Sequence, residues 1–269
     1  MRRILTALAG IPILFIVIKR LPPLAFMVLV AVAVVLGSLE LSRLVERRGW
    51  QTHRWLGAAL AAATAWSFYD PRLPTVAVMC AAAMLVPLSS VTRVWLGGRP
   101  VQGELEGMAT TLSGVMFIGL LMGYCVALLR DGGELGRDLT MLLFWVVWLA
   151  DAGALVAGKL FGRVRLVPAI SPSKTVEGAA GALVVALAAA LAAKSWFFTR
   201  LAMRDAVALG LLLGLAGMAG DLSESLMKRS ASVKDSGGMF PGHGGMLDRT
   251  DSLMFAAPVL FYYHQIFME

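Results

Sequence analysis

Charge is scarce in this chain. Only 15% of its 269 residues are Asp, Glu, Lys or Arg, against about 25% in a typical soluble domain. With 58% hydrophobic residues and a mean hydropathy of +0.76, that scarcity excludes a soluble globular protein and, more firmly, a disordered one. Cysteine is scarcer still. Cys80 and Cys125 both lie in apolar runs, which excludes a disulfide framework and reads them as small buried hydrophobes. The three histidines, His53, His243 and His264, stand at no standard zinc spacing. Strand-like alternation is missing, which excludes an outer-membrane barrel. Internal repeats, low-complexity tails and a separate soluble domain are missing as well.

The charge that is present leans basic: 24 Lys and Arg against 17 Asp and Glu, a net of +7. In a soluble protein this excess would suggest nucleic acid. In a chain this apolar it orients loops and meets anionic lipid, so membrane lipid is the expected partner and nucleic acid is not.

A helix crossing a bilayer core needs about 20 mostly apolar residues, somewhat fewer if its ends snorkel. Nine runs qualify: residues 4–18, 21–39, 55–69, 73–88, 108–129, 139–160, 176–193, 206–220 and 253–267. They are apolar all round, as bundle helices are. Arg2 and Arg3 precede the first run, but its small residues lie at its start and Lys19, Arg20 and Pro22 follow directly. It is expected to be a retained span and not a cleaved leader. The fold class is therefore all-α, a polytopic transmembrane helix bundle of about nine spans. With a cytoplasmic N-terminus, 16 of the 24 Lys and Arg fall in the tail and the loops of the same side, and that bias sets the expected orientation. Two unusual loops, 158–178 and 221–252, are then cytoplasmic.

Chemistry is sought first among ionisable groups at membrane depth. Asp151 interrupts an apolar run, at a cost of about 2.5–3.5 kcal/mol on insertion scales. It reads either as a ligand for a cation or substrate group, or as a helix-packing hydrogen bond or Lys159 partner. Glu40, near the end of the second run, reads as a snorkelling anchor beside Arg43. In the stretch 170–181, Ser171 or Ser173 can cap a helix with Pro172 in its first turn. A helix start with Ser171, Lys174 and Glu177 nearby is equally a phosphate or carboxylate site or an ordinary capped helix.

The stretch 221–252 carries the strongest signal. It holds five of the 17 acidic residues and five of the 28 glycines in 32 residues, which a merely solvated loop does not explain. If the eighth span continues as helix past Gly220, Asp221, Glu224, Ser225 and Lys228 share one face. Asp248 and Asp251 do the same at the start of the ninth span, where helix polarity adds positive potential. A glycine-rich turn, including Gly244 and Gly245, lies between them. Two carboxylate pairs, basic residues and such a turn suit phosphates bridged by a hard divalent cation.

The run from Ser225 to Asp251, with Lys228, Arg229, Lys234, Asp235, Phe240, Pro241, His243, Gly244, Gly245, Asp248 and Arg249, resembles the signature of phosphatidate cytidylyltransferases (CDP-diacylglycerol synthases) over all 27 residues without a gap. The preceding Asp221, Glu224 and Ser225 fit, as does the run from Ser171 to Gly178. At the sixth span the sequence departs from the family pattern: Ala152 replaces a hydroxyl residue and Leu155 a tyrosine. The nucleotide or lipid contacts of those two positions are then lost, while the carboxylate and lysine framework is kept.

The resemblance implies condensation of phosphatidic acid with CTP to CDP-diacylglycerol and pyrophosphate. It implies catalytic roles for Asp221, Lys228, Lys234, Asp248, Arg249 and Asp251, with Asp221, Glu224, Asp248 and Asp251 holding Mg²⁺ or another divalent cation and room for a second cation. Asp151, Ser171, Lys174, Glu177, Arg229, His243, Gly244 and Gly245 would bind substrate. It also implies a homodimer. Residues 1–130 would be scaffold or dimer contacts, and 139–269 the catalytic half, in a bacterial inner membrane with the site facing the cytoplasm. Two other readings stand beside it: an ion-coupled transporter, which would gather its polar residues near the midplane, and a CTP-dependent transferase acting on another lipid phosphate.

Overall fold

The computed structural model describes residues 12–46, 49–130, 133–232 and 245–268. Nearly all of them are helical, as expected of a chain that must satisfy its backbone polar groups without water. Residues 12–20 are helical, followed by α1 (Pro23–Glu46), α2 (Arg54–Ser67), α3 (Thr75–Gly97) and α4 (Glu104–Arg130). Next come α5 (Gly133–Phe161), an antiparallel pair β1 (Arg165–Val167) and β2 (Ser171–Thr175), α6 (Val176–Trp196), α7 (Met203–Ser230) and α8 (Leu247–Tyr263). Each expected run from residue 21 onward is thus a helix. Among the described residues six helices are long and apolar enough to cross a membrane: α1, α3, α4, α5, α6 and α7. The chain is an integral membrane protein.

The described residues fall into two compact units. One is drawn from Met1–Ala127 and Ser230–Arg249, the other from Leu128–Arg229 and Thr250–Glu269. In the first, α2 and α4 meet closely: a Cβ on Gly119 would stand 2.7 Å from the Ala61 backbone. Gly119 belongs to a π-helical stretch, Val115–Leu120, inside α4, and stretches of that kind interrupt the regular α-helical ladder. His53, just ahead of α2, is buried with its ring nitrogens 2.6 Å from Ser90 Oγ and 2.9 Å from Ser89 Oγ. Burial, then the Arg93 guanidinium, lowers its pKa below the ordinary value against the opposing pull of Glu104. The neutral ring ties α2 to α3. Of the two cysteines, Cys125 is buried as expected, whereas Cys80 is exposed on α3; an apolar side chain on a membrane helix loses nothing by facing lipid.

Glu40 departs from expectation. It is 2% exposed, too buried to snorkel, and its Oε2 accepts the backbone N–H of Leu247 at 3.0 Å. Arg43, one turn on, is exposed.

In the second unit, α5 and α6 form an antiparallel hairpin packed on small residues. A Cβ on Gly181 would lie 2.3 Å from Ala157 Cβ, and one on Gly153 2.6 Å from Val185. Small residues let membrane helices approach closely, where dispersion and not hydrophobic exclusion drives association. Trp145 on α5 adds a hydrogen bond from Nε1 to the Ala189 carbonyl at 3.1 Å.

Candidate active site

The α5–α6 connection is not the capped loop that Ser171, Pro172 and Ser173 suggested. Residues Ser171–Thr175 are strand, paired with Arg165–Val167 in the register Arg165↔Thr175 and Val167↔Ser171. The cap is Thr175, whose Oγ1 accepts the Gly178 N–H at 3.1 Å. Pro172 and Ser173 are exposed and Ser171 is buried. A proline in an edge strand loses no ladder bond to a missing donor, which is why the sequence signal for a helix start was false here. Glu177 accepts the N–H groups of Arg163 at 3.0 Å and Val164 at 3.2 Å, so its carboxylate holds the chain leaving α5.

This hairpin aims Lys174 at α7. The Lys174 Nζ lies 2.6 Å from Asp221 Oδ2, with both side chains part-exposed. The expected loop 221–252 begins as helix: α7 runs ten residues past Gly220, to Ser230, the condition under which the sequence placed Asp221, Glu224 and Lys228 on one face, and that extension also carries Arg229. Glu224 is 2% exposed and ion-paired with Lys228 one turn on. Arg229 donates from Nε to the Ile170 carbonyl at 3.1 Å, a second tie between α7 and the hairpin. Lys228 and Arg229, expected on phosphates, therefore both have structural partners.

Asp151 on α5 and Asp251 on α8 complete the cluster. Asp151 hydrogen-bonds the Ser252 side chain and lies within electrostatic reach of Asp221 and Lys174. Asp251 feels Asp221, Asp151 and Lys228, and its Oδ1 accepts the Ser252 N–H at 2.7 Å. Gly220 allows this convergence: a Cβ there would stand 2.3 Å from the Asp251 carbonyl oxygen. Gly217, one turn earlier, has ordinary room, with Ser252 Cβ at 3.6 Å and Val147 at 3.8 Å. Gly220→Ala is therefore expected to destabilise by about 1–3 kcal/mol through overpacking. Gly217→Ala should be neutral, or stabilising by up to about 1 kcal/mol from helix propensity. Thermal unfolding in detergent checks the contrast; equal midpoints would contradict it.

Asp248 lies in the first turn of α8, its Oδ2 accepting the Gly245 N–H at 2.7 Å. Arg249 is exposed beside it. Lys234, His243 and Gly244 lie outside the described residues. Two residues were missed from sequence. Ser252 directly follows an acidic residue at a helix start, the one cue to it. Glu40 was read as a snorkelling anchor because it stands near the end of its run beside Arg43, although a carboxylate in an apolar run is the same signal that marked Asp151.

Three carboxylates, from α5, α7 and α8, repel one another at short range, and Lys174 and Lys228 offset part of that repulsion. Among the described residues no three His, Cys, Asp or Glu side chains form a ready-made metal cage. Mg²⁺ does not need one, since it is usually bound by one or two carboxylates plus substrate phosphates and water. The donor set fits a hard cation whose shell a phosphate completes.

The described residues define an integral membrane helix protein with acidic and basic side chains drawn from three helices and a connecting hairpin. This chain belongs to the cytidylyltransferase family, whose family model matches residues 1–267. It is 39% identical over 196 residues to the phosphatidate cytidylyltransferase of Synechocystis sp., covering 61% of this chain and 64% of the relative. The Staphylococcus saprophyticus protein of the same name is 40% identical over 152 residues, covering 56% and 57%. The Staphylococcus aureus one is 46% identical over 127 residues, covering 46% and 48%. The aligned region thus spans from about half to just under two thirds of the relatives' length.

Proposed function

We propose that this protein is a phosphatidate cytidylyltransferase, condensing phosphatidic acid with CTP to CDP-diacylglycerol and pyrophosphate at the cytoplasmic face of a bacterial inner membrane. The observation that carries this reading is the Lys174–Asp221 pair set among Asp151 and Asp251, in a chain similar to proteins of that name. A lipid phosphate oxygen attacks the α-phosphorus of CTP, that P–O bond forms, and the bond to the departing pyrophosphate breaks. The nucleophile is already an anion at neutral pH, so positioning and charge stabilisation matter more than a general base.

Lys174 would bind and orient phosphate, and Asp221 holds the Lys174 ammonium in place. Asp151, fixed by Ser252, and Asp251 set the negative wall against which substrate phosphates need a cation. A divalent cation held by Asp221 and Asp251, with Asp248 and Glu224 contributing directly or through orientation, would neutralise charge between the two anions. A second cation has room in the same reading. Lys228, Arg229, Lys234 and Arg249 would add positive charge, and Gly244 and Gly245 close backbone approach. Residues 1–130 serve as scaffold or dimer contacts and 139–269 as the catalytic half.

The test uses the purified protein in detergent micelles with CTP labelled at the α-phosphate, phosphatidate and MgCl₂. Label is expected in the lipid phase, and it should vanish without phosphatidate or with excess EDTA. CTP labelled at the γ-phosphate should leave the lipid unlabelled. No lipid-soluble label with Mg²⁺ present would sink the proposal and favour a transporter. Label transferred to a polyprenyl phosphate but not to phosphatidate would replace the acceptor.

A further inference from the structure

Burying Glu40 in the last third of a membrane helix costs free energy, and its destination supplies the compensation. Glu40 and Leu247 are each 2% exposed, and their 3.0 Å hydrogen bond joins residues 207 apart in sequence. Leu247 is the first residue of α8, where N–H groups have no intrahelical acceptor and the helix end is electropositive. The contact is reinforced by packing: a Cβ on Gly37, one turn before Glu40, would touch Leu247 Cδ1 at 4.0 Å and Ile118 at 3.5 Å. Asp248 is the next residue and closes its own bond back to Gly245. The start of α8 is thus held from outside by Glu40 and from inside by Asp248.

We propose that Glu40 is a positioning residue for nucleotidyl transfer: by accepting the Leu247 N–H it fixes the helix start from which Asp248 projects. This rests on the function proposed above. Glu40 itself touches no reacting atom. Its other oxygen, Oε1, is buried and accepts no hydrogen bond among the described residues. Glutamine can therefore replace it with little loss, since the amide oxygen keeps the Leu247 contact.

The test compares the parent protein with Glu40→Gln and Glu40→Met, full-length and in detergent. Deuterium uptake is read on peptides covering residues 245–252, and kcat, the Mg²⁺ concentration for half-maximal rate and KM for CTP are measured. Glu40→Met is expected to speed exchange at the helix start. It should also lower kcat about ten- to a hundredfold, the scale set by small misplacements in an active site. Half-saturating Mg²⁺ should rise at least about fivefold while KM for CTP changes less than about twofold, because the displaced Asp248 weakens the hold on the cation and not on the nucleotide. Glu40→Gln should stay within about threefold of the parent on every measure, because the amide oxygen still accepts the Leu247 N–H, at roughly half the strength of the charge-assisted bond, and that suffices to fix the helix start. If Glu40→Met fails to fold, Leu247→Pro removes the donor instead, at a helix position that tolerates proline, with the same expected result. Parent-like exchange or parent-like kcat in the acceptor-less or donor-less variant overturns the proposal. So does equal loss in Glu40→Gln and Glu40→Met. A parent that makes no CDP-lipid sinks the functional reading alone, because the exchange comparison still decides the Glu40 contact.

Discussion

The Asp221→Asn protein is expected to insert and melt like the parent but to lose two to three orders of magnitude in CDP-lipid formation, the size of effect seen when one preorganised electrostatic group is removed from an active site (about 10²–10³-fold). The stability half of this expectation follows from exposure. The Lys174–Asp221 pair is 24% and 37% exposed on its two sides, and such pairs contribute only about 0–1 kcal/mol to folding. The activity half follows from what surrounds Asp221. Asparagine keeps the shape but removes the charge that holds Lys174 and, in the proposed reaction, a cation. Rates under saturating Mg²⁺ and thermal midpoints on the same preparation check it. Turnover within a few-fold of the parent would remove Asp221 from the site.

Lys174→Met should cost nearly as much, about 10²-fold in kcat/KM, with KM for CTP raised. Lysine here acts as a point charge on a flexible stem, so Lys174→Arg should recover only part of the rate: the larger guanidinium must fit where the Lys174 ammonium meets Asp221. The double variant Lys174→Met/Asp221→Asn is expected to be no worse than the poorer single variant, because groups acting as a unit are not additive. Additive losses would mean that the two side chains work separately, and the ion pair would then be incidental to the reaction.

Much of this protein could be read along the chain. A bilayer leaves the backbone few options, so apolar runs of sufficient length become helices. Each expected run from residue 21 onward did so. Spacing also told that Asp221, Glu224 and Lys228 would share one side if the helix outlasted its apolar part, because 3.6 residues per turn is a property of the helix itself; that α7 does outlast it came from the structure. Local rules failed where a different local structure satisfied the same residues. Ser171, Pro172 and Ser173 have the composition of a helix cap, yet pairing with Arg165–Val167 makes them strand and passes the cap to Thr175.

Sequence alone determined that the chain is a helical membrane protein with its acidic and glycine-rich residues concentrated near the starts and ends of particular spans, since hydropathy and helical period act over a few neighbouring residues. The tertiary structure alone decided which of those residues meet. Gly220 against the Asp251 carbonyl, Asp151 on Ser252, Lys174 on Asp221 and Glu40 on Leu247 are contacts between elements distant along the chain. Their partners are chosen by how closely backbones can pack, and that depends on side chains tens to hundreds of residues apart.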